Sequence, residues 1–393
     1  LENMSRSMFE NTETAFKLKD NYSLYNAKLL FNVITKKYLV NFLTTLTLFS
    51  LKYKLPVKWI LKKTLYKHFC GGVDINECEV TIQGMKKMNV NSILDYSLEA
   101  LKTEQDFDKA CKKKMEIIDL SFSNESIPFA VFKPTSLGRY SLFKLVNAKI
   151  KLSKEEELEW NRVIDRFNMI CNYAYSKKVR LLIDAEEFEV QEAIDNLVYK
   201  MMKKYNRKST IVYNTIQLYR WDRIPHMKNL LKEHDNSFKF GFKLVRGAYM
   251  EKERIDALKN SYNSPICSNK NETDKNFNSA IDLMFNNISS VDFFIASHNE
   301  FSTIKTVELM KKHGIKENDE KVWFGQLYGM GDNISFNLAS KGFNVAKILP
   351  FGPIENLMPY LIRRAQENSS VEGQSNRELD LIKTELFRRS KAS

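Results

Sequence analysis

The chain has 393 residues, of which 43% are hydrophobic, and 61 Lys and Arg against 48 Asp and Glu give a formal charge of +13. That apolar fraction supplies a full core and excludes a disordered polyelectrolyte. The five cysteines, Cys70, Cys78, Cys111, Cys171 and Cys267, show no CxxC or CxxxC spacing, which argues against a disulfide framework or zinc site and for a reducing compartment. The positive excess suits nucleic acid, an anionic membrane surface or an anionic ligand. Nucleic acid is set aside, because the longest basic run, Lys112–Lys114, lacks the clustered stacking aromatics such binding needs.

Residues 1–89 read as a helical region. Its stretch from Tyr38 to Phe69 is apolar but broken by Lys52, Lys54 and Lys58, and no run reaches the roughly 20 residues of a spanning helix. Basic amphipathic helices are expected there, packed on the main domain or lying on a membrane surface. No small-residue cleavage site marks a secretory signal at the amino end. A break at Cys70-Gly71-Gly72 precedes another short helix that ends at Gly84.

From residue 90 the pattern alternates between short apolar runs and longer helical segments. The strands expected are 91–97, 129–134, 179–185, 211–217, 240–246, 292–298, 321–327 and 344–350. The clearest helices run over 105–119, 154–175, 187–205, 276–288, 301–313 and 331–341. Eight strands with crossover helices predict a parallel sheet closed into a (βα)8 TIM-type barrel over residues 90–371. An open doubly wound sheet is the alternative, but no Gly-rich turn follows Asp95. Residues 260–275 read as a polar loop. Residues 372–393 read as a polar tail with a short helix from Glu378 to Arg389.

In a barrel the site forms where the strands end. The polar groups there are Glu99, Lys133, Asp184 with Glu186, Gln217 with Tyr219, Lys243 with Arg246 and Tyr249, His298 with Asn299, and Gln326 with Tyr328. The last strand leads into a segment where Pro353 can open a helix and Pro359 is expected to break or restart it. From Pro359 on, Tyr360, Arg363, Arg364 and Glu367 fall at i, i+3, i+4 and i+7 and share one face. Two guanidiniums on one face can clamp a carboxylate or phosphate. The plain alternative is a solvated helix with Arg363 bonded to Glu367. Cations outnumber anions at these strand ends, which suits an anionic ligand. HExxH, Walker and GxSxG motifs are absent, and no cysteine falls at a strand end, so the chemistry points to a borrowed organic cofactor.

The ordered blocks HFCGG, ILDYSLEA, VFKPTSLGR, LLIDAEE, YNTIQLY, FKLVRGAY, ASHNE, FGQLYGMGD and LPFGPIENLMPYLIRRAQENSS, between about Lys63 and Val371, resemble the proline dehydrogenases. The resemblance implies a flavin-dependent (βα)8 barrel using FAD. Its reaction is oxidation of L-proline to (S)-1-pyrroline-5-carboxylate, the first step of proline catabolism. A hydride passes from proline C5 to flavin N5, and the electrons go on to a membrane quinone. The same chemistry on hydroxyproline or another cyclic amine is the alternative.

By the same resemblance, Arg363 and Arg364 hold the substrate carboxylate with Lys133 beside them, and Asp184 supports the site near Lys133. Tyr249 and Leu244 line the proline ring, and Glu99 pairs with a helix arginine and gates the pocket. Lys243, Val245, Arg246, Gly247 and Ala248 form the flavin-binding strand, Gln217 reaches the isoalloxazine edge, and His298, Gln326 and Glu367 make further flavin contacts. The loop around Gly329 and Gly331 helps hold the adenosine end. One position departs from the family: Ile348 stands where a tyrosine often packs on the proline ring, although Phe351 keeps an aromatic nearby. The expected setting is the cytoplasmic face of a bacterial inner membrane, with the mitochondrial inner membrane as the alternative.

Overall fold

The computed structural model describes residues 8–53, 58–96, 101–370 and 374–392. Glu99 lies outside them, and so does the side chain of Glu367. The eight strands are β1 (Asn91–Tyr96), β2 (Phe129–Phe132), β3 (Arg180–Ile183), β4 (Val212–Gln217), β5 (Phe240–Val245), β6 (Val291–Ala296), β7 (Val322–Leu327) and β8 (Val345–Phe351). They form one sheet in the order β1-β8-β7-β6-β5-β4-β3-β2, with parallel pairing in the registers β1–β8 and β2 to β6. Eight parallel strands connected through helices are the distorted (βα)8 barrel fold, and every strand falls within one or two residues of its apolar run. The residues group into two compact units, one of residues 1–97, 298–301 and 325–393, the other of 98–297 and 302–324. For brevity these are called the terminal unit and the central unit.

In the central unit, strand alternation sorts the side chains. Phe129 meets Tyr213, Phe294 and Trp323 edge-on at ring distances of 5.7, 5.3 and 5.1 Å. These rings lie on the face turned away from the helices. Arg180 on β3 stacks over Phe129 and Trp323 and pairs with Glu320. The other face meets the helices: Phe132 packs on Phe167, Phe293 on Phe285, and Phe240 on Tyr199.

Two expectations are corrected here. Residues 260–275 are not a loop throughout, because the Lys270–Asn286 helix begins inside them. Asn269 caps its Glu272 N–H, and the Glu272 carboxylate accepts from the Ser268 N–H, a reciprocal arrangement that closes the first turn. The carboxyl end is not a polar tail with one short helix either, since Gln374–Ala392 is a continuous 19-residue helix. Leu379, Leu381 and Ile382 bury themselves against Phe16, Leu24, Ala27 and Phe31. Its Glu385 is fully buried and accepts from Thr12, Arg388 and Arg389 at 2.9, 2.8 and 2.7 Å.

The amino-terminal segment is helical as expected, with its main helices at Asn21–Ile34, Lys37–Lys52 and Ile75–Lys86. Leu61, Tyr66 and Phe69 pack with Leu357, Met358 and Leu361 of the Ile354–Ser370 helix. The Tyr66 hydroxyl donates to the Gly352 carbonyl at 2.9 Å. Phe42, Phe49, Tyr53 and Trp59 of the same segment are exposed, and no helix among the described residues is long and apolar enough to cross a membrane. The Gly71-Gly72 break docks on β8: the Gly71 N–H donates to Pro350 at 2.8 Å, and Gly72 accepts from the Gly352 N–H at 3.1 Å. A side chain at Gly71 would collide with Leu349.

Candidate functional site

In the central unit the polar strand ends collect on the face of the sheet opposite the helices. Lys243 on β5 is buried and donates to the Asp184 carboxylate at 2.6 Å. Gln217 stands opposite Val245 in the β4–β5 register, so its side chain shares the Lys243 face. Its amide nitrogen donates to the Glu186 carbonyl at 2.7 Å. Its Oε1 is buried and finds no hydrogen-bond partner among the described residues, and such an acceptor ordinarily has one. Burial raises the Glu186 carboxyl to about 7, against the opposing pull of Lys133 and of the hydrogen bond from Thr135. Asp184 is held by Lys243, and the Lys133 charge acts on the Glu186 carboxyl.

Arg246 lies on the other face of β5. Its Nε donates to Asp274 at 2.8 Å, Nη1 to Ser297 at 2.8 Å and Nη2 to Ser302 at 3.0 Å, with Phe277 stacked 4.3 Å away. Asp274 and Phe277 belong to the Lys270–Asn286 helix, partly within the segment expected to be loop. All three guanidinium nitrogens are thus engaged, Nη2 also lying 2.7 Å from Asp274, and the group is a strut between strand and helix. Leu244 shares this face by alternation and is wholly buried. Leu244, expected to line the substrate ring, therefore faces away from Lys243, which was expected on the flavin side. Gly247 has φ +134°, and a Cβ there would lie 2.5 Å from the Tyr219 ring. Tyr249 is half-buried at the start of the Met250–Lys259 helix, and Ala248 is exposed. Gly247→Ala is expected to cost about 1–3 kcal/mol through backbone strain and the displaced tyrosine; urea denaturation of the two proteins checks it.

In the terminal unit the arginines sit on one continuous helix, Ile354–Ser370, that runs through Pro359. The expected break does not occur: proline removes one backbone bond, while Leu357 and Leu361 on either side of it are fully buried. Arg364 stacks over Tyr360 at 5.5 Å, and both arginines are half-buried. On β8, Ile348 is half-buried and alternates with Lys347, which faces Asp332 at 2.7 Å.

The loop after β7 forms a second polar cluster in this unit. Gly329 and Gly331 have φ of +81° and +61°. A Cβ on Gly329 would lie 2.2 Å from the His68 carbonyl, and one on Gly331 would lie 2.8 Å from His298 Nδ1. The loop therefore brings His298 and Gln326 together, and the Gln326 carbonyl accepts from Ser335 at 2.8 Å. The Gly331 N–H donates to Glu378 of the last helix at 2.5 Å. Neither Glu378 nor Asp274 was singled out in the sequence as a site residue.

Glu378 is raised to about 7 by burial and by the nearby Asp332 charge. Asp332 itself resists burial and stays well below the usual carboxylate range, because Lys19 and Lys347 flank it. A carboxyl whose folded pKa is raised binds its proton more tightly when folded. Its contribution is therefore present at low pH and is lost as pH rises from about 4.5 to about 7. Glu378→Gln should flatten that part of the pH–stability curve and be more stable than the parent at pH 8, as urea denaturation at pH 5 and pH 8 will show.

The comparisons bear on these two clusters. The profile described as "Proline dehydrogenase" matches residues 78–377. The carbapenem antibiotics biosynthesis protein CarD of Pectobacterium carotovorum is 32% identical over 378 residues, covering 94% of this chain and 98% of that protein. Mitochondrial proline dehydrogenase 1 of Dictyostelium discoideum is 30% identical over 383 residues, covering 85% of this chain and 66% of the relative. Proline utilization A from Bdellovibrio bacteriovorus, in a form inactivated by N-propargylglycine, superposes with a TM-score of 0.72 at 20% identity, over 95% of this chain and 38% of that one. The last likeness bears on the fold alone. The chain thus spans just under two thirds of the mitochondrial relative and well under half of the solved one. The chain belongs to the proline dehydrogenase family of oxidoreductases.

Proposed function

We propose that the chain oxidises L-proline to (S)-1-pyrroline-5-carboxylate with bound FAD and passes the electrons to a quinone at a membrane surface. The observation that carries the reading is the orphaned Gln217 carbonyl, buried on the same strand face as Lys243. It offers an acceptor to a ring N–H, and Lys243 offers positive charge beside it. Gly247 is exposed at the end of β5, where bare backbone leaves room for a nucleotide cofactor. These features fit a flavin. When bound, FAD supplies the two-electron acceptor for the hydride that leaves proline C5.

The chain's own residues do the rest. Arg363 and Arg364, with Lys133, bind the substrate carboxylate through charge-assisted hydrogen bonds. Lys243 fixes Asp184, which keeps the polar floor of the site in one arrangement. Tyr249 and Ile348 shape the ring pocket, and Glu99 gates it. Val245, Gly247, Ala248, His298, Gln326 and Glu367 contact the cofactor, while Arg246 braces the strand that carries it. Orientation of bound substrate is the main source of acceleration, aided by the positive charge set against the developing anion.

The reading is tested by turnover with a soluble redox dye. Proline-dependent dye reduction that disappears on removing flavin and returns with FAD supports it; turnover indifferent to flavin, or none with proline, overturns it. Ile348→Tyr is expected to change the ratio of kcat/KM for proline over hydroxyproline by about tenfold, the worth of one ring contact of about 1.4 kcal/mol. Equal ratios in mutant and parent would remove Ile348 from the specificity pocket.

A further inference from the structure

A cavity of about 990 Å³ lies within the terminal unit; none of the residues assigned above to substrate lines it, although Ile362 and Ala365 flank the arginine pair and Gly329 belongs to the loop after β7. Its walls are apolar, from Leu30, Val33, Leu61, Met358, Leu361 and Ile362 among others. Its size is that of a ligand pocket, far beyond a packing void. The charge along its lining is one-sided. Lys19, Lys63, Lys67 and Lys347 line it, against the single carboxylate of Asp332. His68 also lines it but adds no charge, because burial and the neighbouring Lys19 push its imidazole down to about 3.

These cations differ in what they can still do. Lys347 is fully buried and already bonds Asp332 and the Met330 carbonyl at 2.7 Å each. Lys19 meets Asp332 at 2.6 Å while its side chain keeps 24% of its exposure. An ammonium has three donors, and one of them serves Asp332. Lys63 stacks on Trp59 at 4.2 Å. The lining residues Tyr22, Leu29, Leu43, Leu46, Trp59 and Val80 are all exposed. The cavity thus has a largely apolar mouth that carries Lys63 on Trp59, an apolar body, and an inner end where Lys19 and Lys347 share Asp332.

We infer that this cavity binds a single-chain anionic amphiphile, an acyl chain carrying a carboxylate, with its chain along the Leu30–Leu361 wall and its head at Lys19. The charge balance selects an anionic head, and the apolar walls select the chain. The exposed mouth suits a ligand that arrives from a lipid surface.

The test is isothermal titration of the full-length purified chain, without proline, against laurate, dodecanol and a short-tailed benzoquinone. Laurate is expected to saturate one site at least about tenfold more tightly than dodecanol, the worth of one charged contact. Leu30→Trp, which fills the cavity, should abolish laurate binding while its thermal transition shows a folded protein. Lys19→Gln should remove the preference for laurate over dodecanol. Absence of saturable laurate binding, equal binding of laurate and dodecanol, or unaltered binding by Leu30→Trp each overturns the inference. Tighter binding of the benzoquinone than of laurate overturns it too, by assigning the cavity a neutral head. None of these outcomes depends on whether proline is the substrate.

Discussion

Arg364→Met is expected to lower kcat/KM for L-proline by about 100-fold, or about 2.7 kcal/mol, with most of the change in KM. The reasoning starts from the carboxylate. A bound carboxylate stripped of water needs charged donors, and removing one partner of such a pair costs about 2–5 kcal/mol. Arg364 is held over Tyr360 by ring stacking at 5.5 Å, so its guanidinium is oriented before substrate arrives. Binding that is equally strong in ground and transition states changes KM more than kcat. Arg364→Lys should recover only part of the loss, because an ammonium cannot present a planar fork. Steady-state kinetics over a wide proline range separates the two parameters. A variant whose kcat falls 100-fold at unchanged KM would assign Arg364 a role in the transition state instead.

The second large effect is expected at Lys243. Lys243→Met leaves the Asp184 carboxylate without its 2.6 Å partner in a part-buried setting. Breaking a buried pair from one side costs about 3–5 kcal/mol, chiefly through the charge left behind. Asp184 keeps about a fifth of its exposure, which puts the expectation at the lower end, about 3 kcal/mol. The double variant Lys243→Met with Asp184→Asn should regain more than half of that stability, since the stranded charge is gone. Both single variants should purify with less flavin than the parent. Urea denaturation of all four proteins gives the coupling directly; strict additivity of the two single losses would show that the pair is not the source.

Much of the fold was legible because strands and helices carry local signals. Each β-strand is a largely apolar run of four to seven residues, and the structure moves the expected boundaries by little. The opening turns of the Lys270–Asn286 helix were hidden by composition, although residues 276–288 read as helix: SNKNETDKNFN is so polar that it reads as a loop. Its signal lay in Asn269 followed three residues later by Glu272, the pairing that opens a helix. The last helix was read too short, as 378–389 within a polar tail, although Leu379, Ile382 and Leu386 repeat at helical spacing. Pro359 misled in the other direction, because one lost backbone bond weighs little against the apolar side chains the helix buries on either side of it.

The site was legible in its residue types and less so in its partnerships. Lys243 and Asp184 are 59 residues apart and Lys19 and Asp332 are 313 apart, and nothing local couples such positions. The partners of Arg246, at Asp274, Ser297 and Ser302, were equally out of local reach. Glu378 was invisible as a neighbour of the Gly329–Gly331 loop because its helix was taken for a tail.

The central claim is that this chain binds a flavin and reduces it with proline. The most direct measurement is the absorbance spectrum of the purified protein under anaerobic conditions, before and after addition of L-proline. The account predicts a bound-flavin spectrum that bleaches on adding proline, and faster than on adding hydroxyproline. A flavin spectrum that stays oxidised in proline, or a protein that binds no flavin after reconstitution with FAD, would contradict it.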